Sequence, residues 1–156
     1  MHKLEYNYIL VSAVVSWFVA QIIKTFLHFI LTKKFKAERL IGAGGMPSSH
    51  SALVCSATIA VSRKCGIGSA EFAIMFLVAM IVMYDAMGVR RAAGLHAREI
   101  NRMNRLFISK ESIKSSDSKD IEQKRKELKE YLGHTPFEVL GGALLGILIA
   151  MTMPVG

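Results

Sequence analysis

The chain is poor in the residues that most often mark a site. Its two cysteines, Cys55 inside an apolar run and Cys65 beside Lys64, show no repeated spacing. That excludes a disulfide framework or a cysteine zinc site and leaves both as free thiols. Asp85 has no second carboxylate at ligand spacing nearby, so no metal site is read. The apolar stretch behind Met1-His2-Lys3 lacks a small-residue cleavage site after a short core, so the first helix is expected to stay with the protein. No internal repeat is present. Acid is scarce as well: 12 Asp and Glu stand against 20 Lys and Arg, for a formal charge of +8. Such a charge suits nucleic acid, anionic lipid or the basic loops of a membrane protein.

Apolar length decides against nucleic acid. The 156 residues are 52% hydrophobic, and the mean hydropathy of +0.36 is high for a chain that still carries 21% charged residues. From Tyr8 to Leu31 the sequence is almost continuously apolar, and at about 1.5 Å per residue it is long enough to cross a bilayer with some tilt. Its polar members Trp17, Gln21, Lys24 and His28 recur on one face, which should look inward. A basic stretch from Thr32 to Met46 follows. The second apolar helix, about Ser49 to Ser62, is short and rich in Ala, Ser and Thr, which suits helix packing more than lipid contact. Ile67 to about Met87 forms a third. Gly88 to Leu132 is strongly polar, first helix-like and rich in Asn and Arg, then a charged segment with a mobile turn at Ser115-Ser116-Asp117-Ser118. The last apolar run, Phe137 to Met153, holds Gly142 and Gly146, a spacing that makes a helix packing face.

The fold expected is therefore all-α: one domain over 1–156, an integral membrane helical bundle with about four apolar helices and a charged loop, about 101–130, between the third and fourth. Four crossings put loops 32–48 and 88–136 on one side. Those loops hold most of the Lys and Arg, so that side is expected to be cytoplasmic.

Two histidine motifs stand at helix starts on that side. In Gly44-Gly45-Met46-Pro47-Ser48-Ser49-His50, a glycine-rich turn delivers two hydroxyls and a histidine to a helix N-terminus, where free N–H groups attract phosphate. His50 can protonate a leaving oxygen there, although Pro47-Ser48-Ser49 equally suits plain helix capping. In Gly133-His134-Thr135-Pro136-Phe137-Glu138, Thr135 and Glu138 fit a capping box. The competing role makes His134 a nucleophile with Glu138 to orient and charge-balance it. Spacing alone does not separate these readings. Between the motifs, Arg90 and Arg91 can act as a topology signal or as a phosphate fork, which Asp85 would hold in place. Lys24 either snorkels or works at the site.

These motifs resemble the type 2 phosphatidic acid phosphatase superfamily, which includes the vanadium haloperoxidases, and more closely a small divergent bacterial and plastid branch of it. A Pro-Ser-Gly-His motif of the superfamily is matched by Pro47-Ser48-Ser49-His50. Its final His-x-x-x-Asp, running into Val-Leu-x-Gly-x-x-x-Gly, is matched by His134 to Glu138 and then Val139 to Gly146. The departures are a serine for glycine, glutamate for the last aspartate, no Ser-Arg before the last histidine, where only Lys129 is close, and no first motif of lysine and Arg-Pro. Lys33, Lys34 and Arg39 echo that motif loosely, and Lys24 is their rival. The resemblance implies phosphate ester hydrolysis through a phosphohistidine, without a cofactor or metal: His134 attacks, Glu138 supports it, and His50 protonates the leaving group. Ser48, Ser49, Arg90, Arg91, Lys24 and Lys129 are the candidate phosphate contacts, with Asp85 and Gly45 in support. The substrate expected is a lipid phosphate monoester or prenyl diphosphate in a bacterial cell membrane. Membrane lipids are the expected surroundings, and four short spans leave room for a homo-oligomer. The alternative is a non-catalytic membrane protein that binds anionic lipid headgroups or assembles with a partner.

Overall fold

A computed structural model describes residues 7–33, 45–112, 128 and 133–155. Among them are five helices and no strand: α1 (Tyr8–Thr32), α2 (Ser49–Cys65), α3 (Ala70–Met87), α4 (Val89–Ser112) and α5 (Pro136–Thr152). The fold is the all-α membrane helical bundle expected from the sequence. Two helical stretches, Tyr8–Ile30 and Ala70–Phe107, are long and apolar enough to cross a membrane, and α5 is a shorter apolar helix. The basic stretch at 34–44 and the Ser115–Ser118 turn lie outside the described residues. The Asn- and Arg-rich stretch is helical through Ser112, so the first part of the segment read as a loop from about 101 continues α4.

α2 is the hub, packed against α1, α3 and α5. Its small residues explain the position. Ser49, Ser51, Ala52, Ser56, Ala57 and Ala60 are buried, and side chains this short let three neighbouring backbones approach. Its hydroxyls then bond across the seams. Ser56 Oγ–H donates to the Ser12 carbonyl on α1 at 3.0 Å, and Thr58 Oγ1 lies within donating distance of the Val54 and Met75 carbonyls at 2.8 and 3.3 Å. α1 meets this seam with Tyr8, Ser12, Ser16, Ala20 and Lys24, all buried at four-residue spacing. Of the inward face expected on α1, Gln21 and Lys24 are buried and Trp17 and His28 are half-buried.

The α2–α5 seam is the tightest. Gly142 and Gly146 face α2, and a Cβ at either would run into a backbone carbonyl, of Ser48 and Ala52 respectively. At the far end of the bundle, Arg63 closes three helices together. Its Nη1–H group donates to Tyr8 Oη at 2.7 Å, to the Met153 carbonyl at 2.8 Å and to the Ala150 carbonyl, which also accepts from Tyr8 Oη–H at 3.0 Å. A cation thus meets the carbonyls at the C-terminus of α5, where the helix dipole is negative.

Gly146→Ala should force α2 and α5 apart, and overpacking of this kind costs about 1–3 kcal/mol. The apparent melting temperature in detergent micelles is expected to fall by several degrees. Gly141→Ala should be mild, because its Cβ meets only the flexible tip of Met46 at 3.1 Å. Equal melting of wild type and Gly146→Ala would mean that these backbones do not touch.

Candidate functional site

The second motif is built from its turn outward. Gly133 has φ of 89°, a left-handed conformation open to glycine, and a Cβ there would collide with the backbone of Arg90 and Arg91. The chain therefore passes directly against the start of α4. The next amide, His134 N–H, donates to the Ala86 carbonyl at the end of α3, at 3.0 Å. Two residues on, Pro136 starts α5 behind a complete capping box. Thr135 Oγ1 accepts from Glu138 N–H at 3.4 Å, and Glu138 Oε2 accepts from Thr135 N–H at 3.0 Å. The same Oε2 lies 3.2 Å from His134 Nδ1. Capping and imidazole support, opposed as readings of the sequence, are here performed by one carboxylate oxygen. His134 is 2% exposed, and its Nε2 is buried with no hydrogen-bond partner.

The first motif reaches this point through backbone contacts. Ser48 is the N-cap of α2: its Oγ accepts from the Ser51 N–H at 3.4 Å and the Ser51 hydroxyl at 3.0 Å. Capping is thus the structural work of its side chain. Its own N–H donates to the Glu138 carbonyl at 2.9 Å. The two helix starts are therefore tied at one point, which brings His50 and His134 into one cluster. Arg90, His134, Lys24 and Asp85 all act electrostatically on His50, and Lys24, Arg90 and Glu138 act on His134.

The cationic side chains come from two more helices. Lys24, 2% exposed, reaches the cluster from α1. Gly45, with φ of 90°, lies over its stem, where a Cβ would come 3.5 Å from Lys24 Cγ. Arg90 opens α4 and is held by Asp85 of α3, Nε to Oδ2 at 2.6 Å, the pairing expected from the sequence. Ser49 is buried at the head of α2, and Arg91 is exposed. Lys129 lies outside the described residues. Residues that sequence reasoning missed are Gly133 and the Ala86 carbonyl, which together fix the position of His134. A glycine directly before a motif histidine was the one available signal. Among the described residues, no three His, Cys, Asp or Glu side chains converge as a metal site would require.

His134 lies outside the helices, so its protonation is set by this pocket. Burial pushes its imidazole below the ordinary histidine value of 6.5, Lys24 and Arg90 lower it further, and the hydrogen bond and charge of Glu138 oppose them. The arrangement favours a neutral ring with Nδ1–H on the carboxylate and an unpartnered lone pair on the buried Nε2. Chemically, that is a nucleophile or an acceptor surrounded by cations.

Comparison with known proteins places the chain within a described group. A family model described as the Divergent PAP2 family matches residues 5–149. A relative from Bacillus subtilis, "Uncharacterized membrane protein YuiD", is 38% identical over 151 residues, covering 94% of each chain. No solved structure matches.

In an NMR titration of ring nitrogens, His134 should change protonation below 6.5, and Glu138→Gln should lower it further because the carboxylate is what raises it. Between the lowered value and 6.5 the unfolded chain binds more protons than the folded one. This residue's effect on stability is therefore a loss as pH falls through that window. A His134 that titrates at or above the ordinary value would show that Glu138 outweighs burial.

Proposed function

The chain belongs to the Divergent PAP2 family, and on that premise we propose that it is a membrane phosphatase. Its substrate is a lipid phosphate monoester or prenyl diphosphate, hydrolysed through a phosphohistidine at His134. The observation that carries this reading is the state of one imidazole: Nδ1 on the Glu138 carboxylate at 3.2 Å and Nε2 buried without a partner. In the first step the Nε2 lone pair attacks phosphorus as the P–O bond to the lipid breaks. His50 gives its proton to the departing oxygen. In the second step water attacks the phosphohistidine, His50 takes the water's proton, and the P–N bond breaks to release inorganic phosphate and regenerate His134.

Glu138 holds the reactive tautomer and balances the charge that the ring gains on attack. Phosphoryl transfer asks for fixed positive charge around the three equatorial oxygens more than for covalent help. Lys24, Arg90 and the Ser49 amide at the start of α2 supply it, and Ser48, held by its bond to the Glu138 carbonyl, positions that helix start. Asp85 keeps the Arg90 fork in place and Gly45 gives room for the Lys24 stem. Arg91, exposed beside Arg90, is the outer cation that meets the headgroup on entry, and Lys129 is a further candidate phosphate contact from the sequence alone. The mechanism needs no metal.

The lipid tails remain in the bilayer while the phosphate reaches this end of the bundle. The distribution of Lys and Arg in the loops supports a multi-pass protein of the cell membrane with the motif end cytoplasmic. A Ser116→Cys protein in a Cys65→Ser background should accordingly be protected from an impermeant thiol reagent in intact cells, and labelling from outside would reverse the orientation.

Purified protein in mixed micelles should release inorganic phosphate from such lipids. His134→Ala should abolish release, and His50→Ala should lower it by about 10²–10⁴-fold, the usual worth of a positioned acid–base group. Glu138→Gln should lower kcat and leave KM little changed, since it supports the nucleophile and does not bind the lipid. Full activity in His134→Ala would rule the mechanism out.

A further inference from the structure

Beyond Arg90 and Arg91 in its first turn, α4 is the part of the molecule that the phosphatase reading leaves without a task. α3, at 18 residues and about 1.5 Å each, already matches most of a hydrocarbon core of about 30 Å. At its end, Gly88 departs from helical geometry, with φ of −97° and ψ of −85°, and α4 starts at the next residue. A further 24 residues therefore begin where the apolar layer ends. They either stand out into water or turn to lie along the surface.

The side-chain pattern separates these cases. Helical spacing divides α4 into three stripes. Gly94, Ala97 and Asn101 form the buried stripe, and the Asn101 carboxamide pairs with the Leu128 peptide, Nδ2–H to the carbonyl at 2.9 Å and Oδ1 from the N–H at 3.1 Å. A second stripe of Val89, Ile100, Met103 and Phe107 is apolar, with exposures of 45–64%. Leu95 and Leu106, also exposed, broaden it on the side toward the arginines. The third stripe is Arg91, Arg98, Arg102 and Arg105. Glu99 is the one acid between Val89 and Phe107, and its contact with Arg102, 3.6 Å between exposed groups, is worth little.

A helix standing in water gains nothing by exposing four large apolar side chains in register. A helix lying at the boundary of headgroups and acyl chains buries them and keeps its arginines at headgroup level. The excess of arginine over acid selects the lipid. We propose that α4 is an interfacial helix docked on an anionic-lipid surface, with Ile100, Met103 and Phe107 in the acyl boundary and the Arg91–Arg105 stripe among the headgroups. The inference stands on α4 alone and does not require catalysis. It has a consequence for the site, because α4 carries Arg90 and its first turn packs on Gly133, so the docked helix sets the level at which headgroups meet the cluster.

The test uses full-length protein reconstituted in phosphatidylcholine vesicles with or without phosphatidylglycerol. Met103→Cys, Phe107→Cys and Arg98→Cys are made in a Cys65→Ser background, each labelled with a polarity-sensitive fluorophore. With phosphatidylglycerol, labels at 103 and 107 should be quenched several-fold more by nitroxide placed high on the acyl chain than the label at 98, and less by aqueous iodide. Omitting phosphatidylglycerol should reduce that contrast. Equal iodide access at all three positions would place α4 in water and overturn the proposal, as would lipid quenching that ignores phosphatidylglycerol. Concentration-dependent cross-linking through Met103→Cys would assign the stripe to a second copy of the chain and overturn it too.

Discussion

The hydrogen bond from the Ser48 amide to the Glu138 carbonyl is the contact on which the rest of the site depends. It requires two helix backbones to touch, and the sequence makes that contact with glycine. One residue, Ser48, sits astride one turn of α5: its N–H bonds the Glu138 carbonyl, and its own carbonyl rests on Gly142 where a Cβ would collide. A turn further on, Gly146 repeats the contact against Ala52. Any side chain at 142 would push the Ser48 peptide off α5 and take His50 away from His134. The chemistry of two histidines remote in sequence therefore rests on two hydrogen atoms in place of methyl groups.

The two ends of the bundle are built differently. At the far end Arg63 is matched by three oxygen acceptors, the Tyr8 hydroxyl and two carbonyls at the end of α5. At the near end Lys24, Arg90, His50 and His134 crowd together, with Asp85 and Glu138 as their counterweight. Concentrating positive charge in this way works against folding and would be relieved by an anion, which is what the proposed phosphate site requires. The Arg63 clamp and the glycine seam supply the rigidity that holds such a cluster together. Lowering of the His134 basicity is part of the same design, since it keeps the ring neutral beside two cations.

Much of this was legible in the sequence because it is local. Apolar length marks α1, α3 and α5. The spacing of Thr135 and Glu138 marks a capping box, the spacing of Gly142 and Gly146 marks a packing face, and the Asp85–Arg90 pair follows from neighbouring helix ends. What could not be read depends on tertiary juxtaposition. Nothing local says that Gly133 must clear the backbone of Arg90 and Arg91, that the Ala86 carbonyl anchors His134, or that Arg63 returns to Tyr8 and the end of α5. α2 reads as a short, weakly apolar helix, and its Ser and Ala content becomes intelligible only once it is seen between three partners. Lys24 could not be ranked above Lys33, Lys34 and Arg39 from spacing; in the structure Lys24 is buried beside Gly45, whereas Lys33 is exposed.

If His134 is a nucleophile poised on Glu138, its Nε2 must carry phosphorus during turnover. The direct measurement is to mix the protein with a lipid phosphate labelled with 32P, quench rapidly in alkali, and locate the label by peptide mass spectrometry under conditions that preserve phosphoramidates. The expected result is an acid-labile, alkali-stable phosphoryl group on Nε2 of His134, absent from His134→Ala. Phosphate release without any such adduct, or an adduct on another residue, would contradict it.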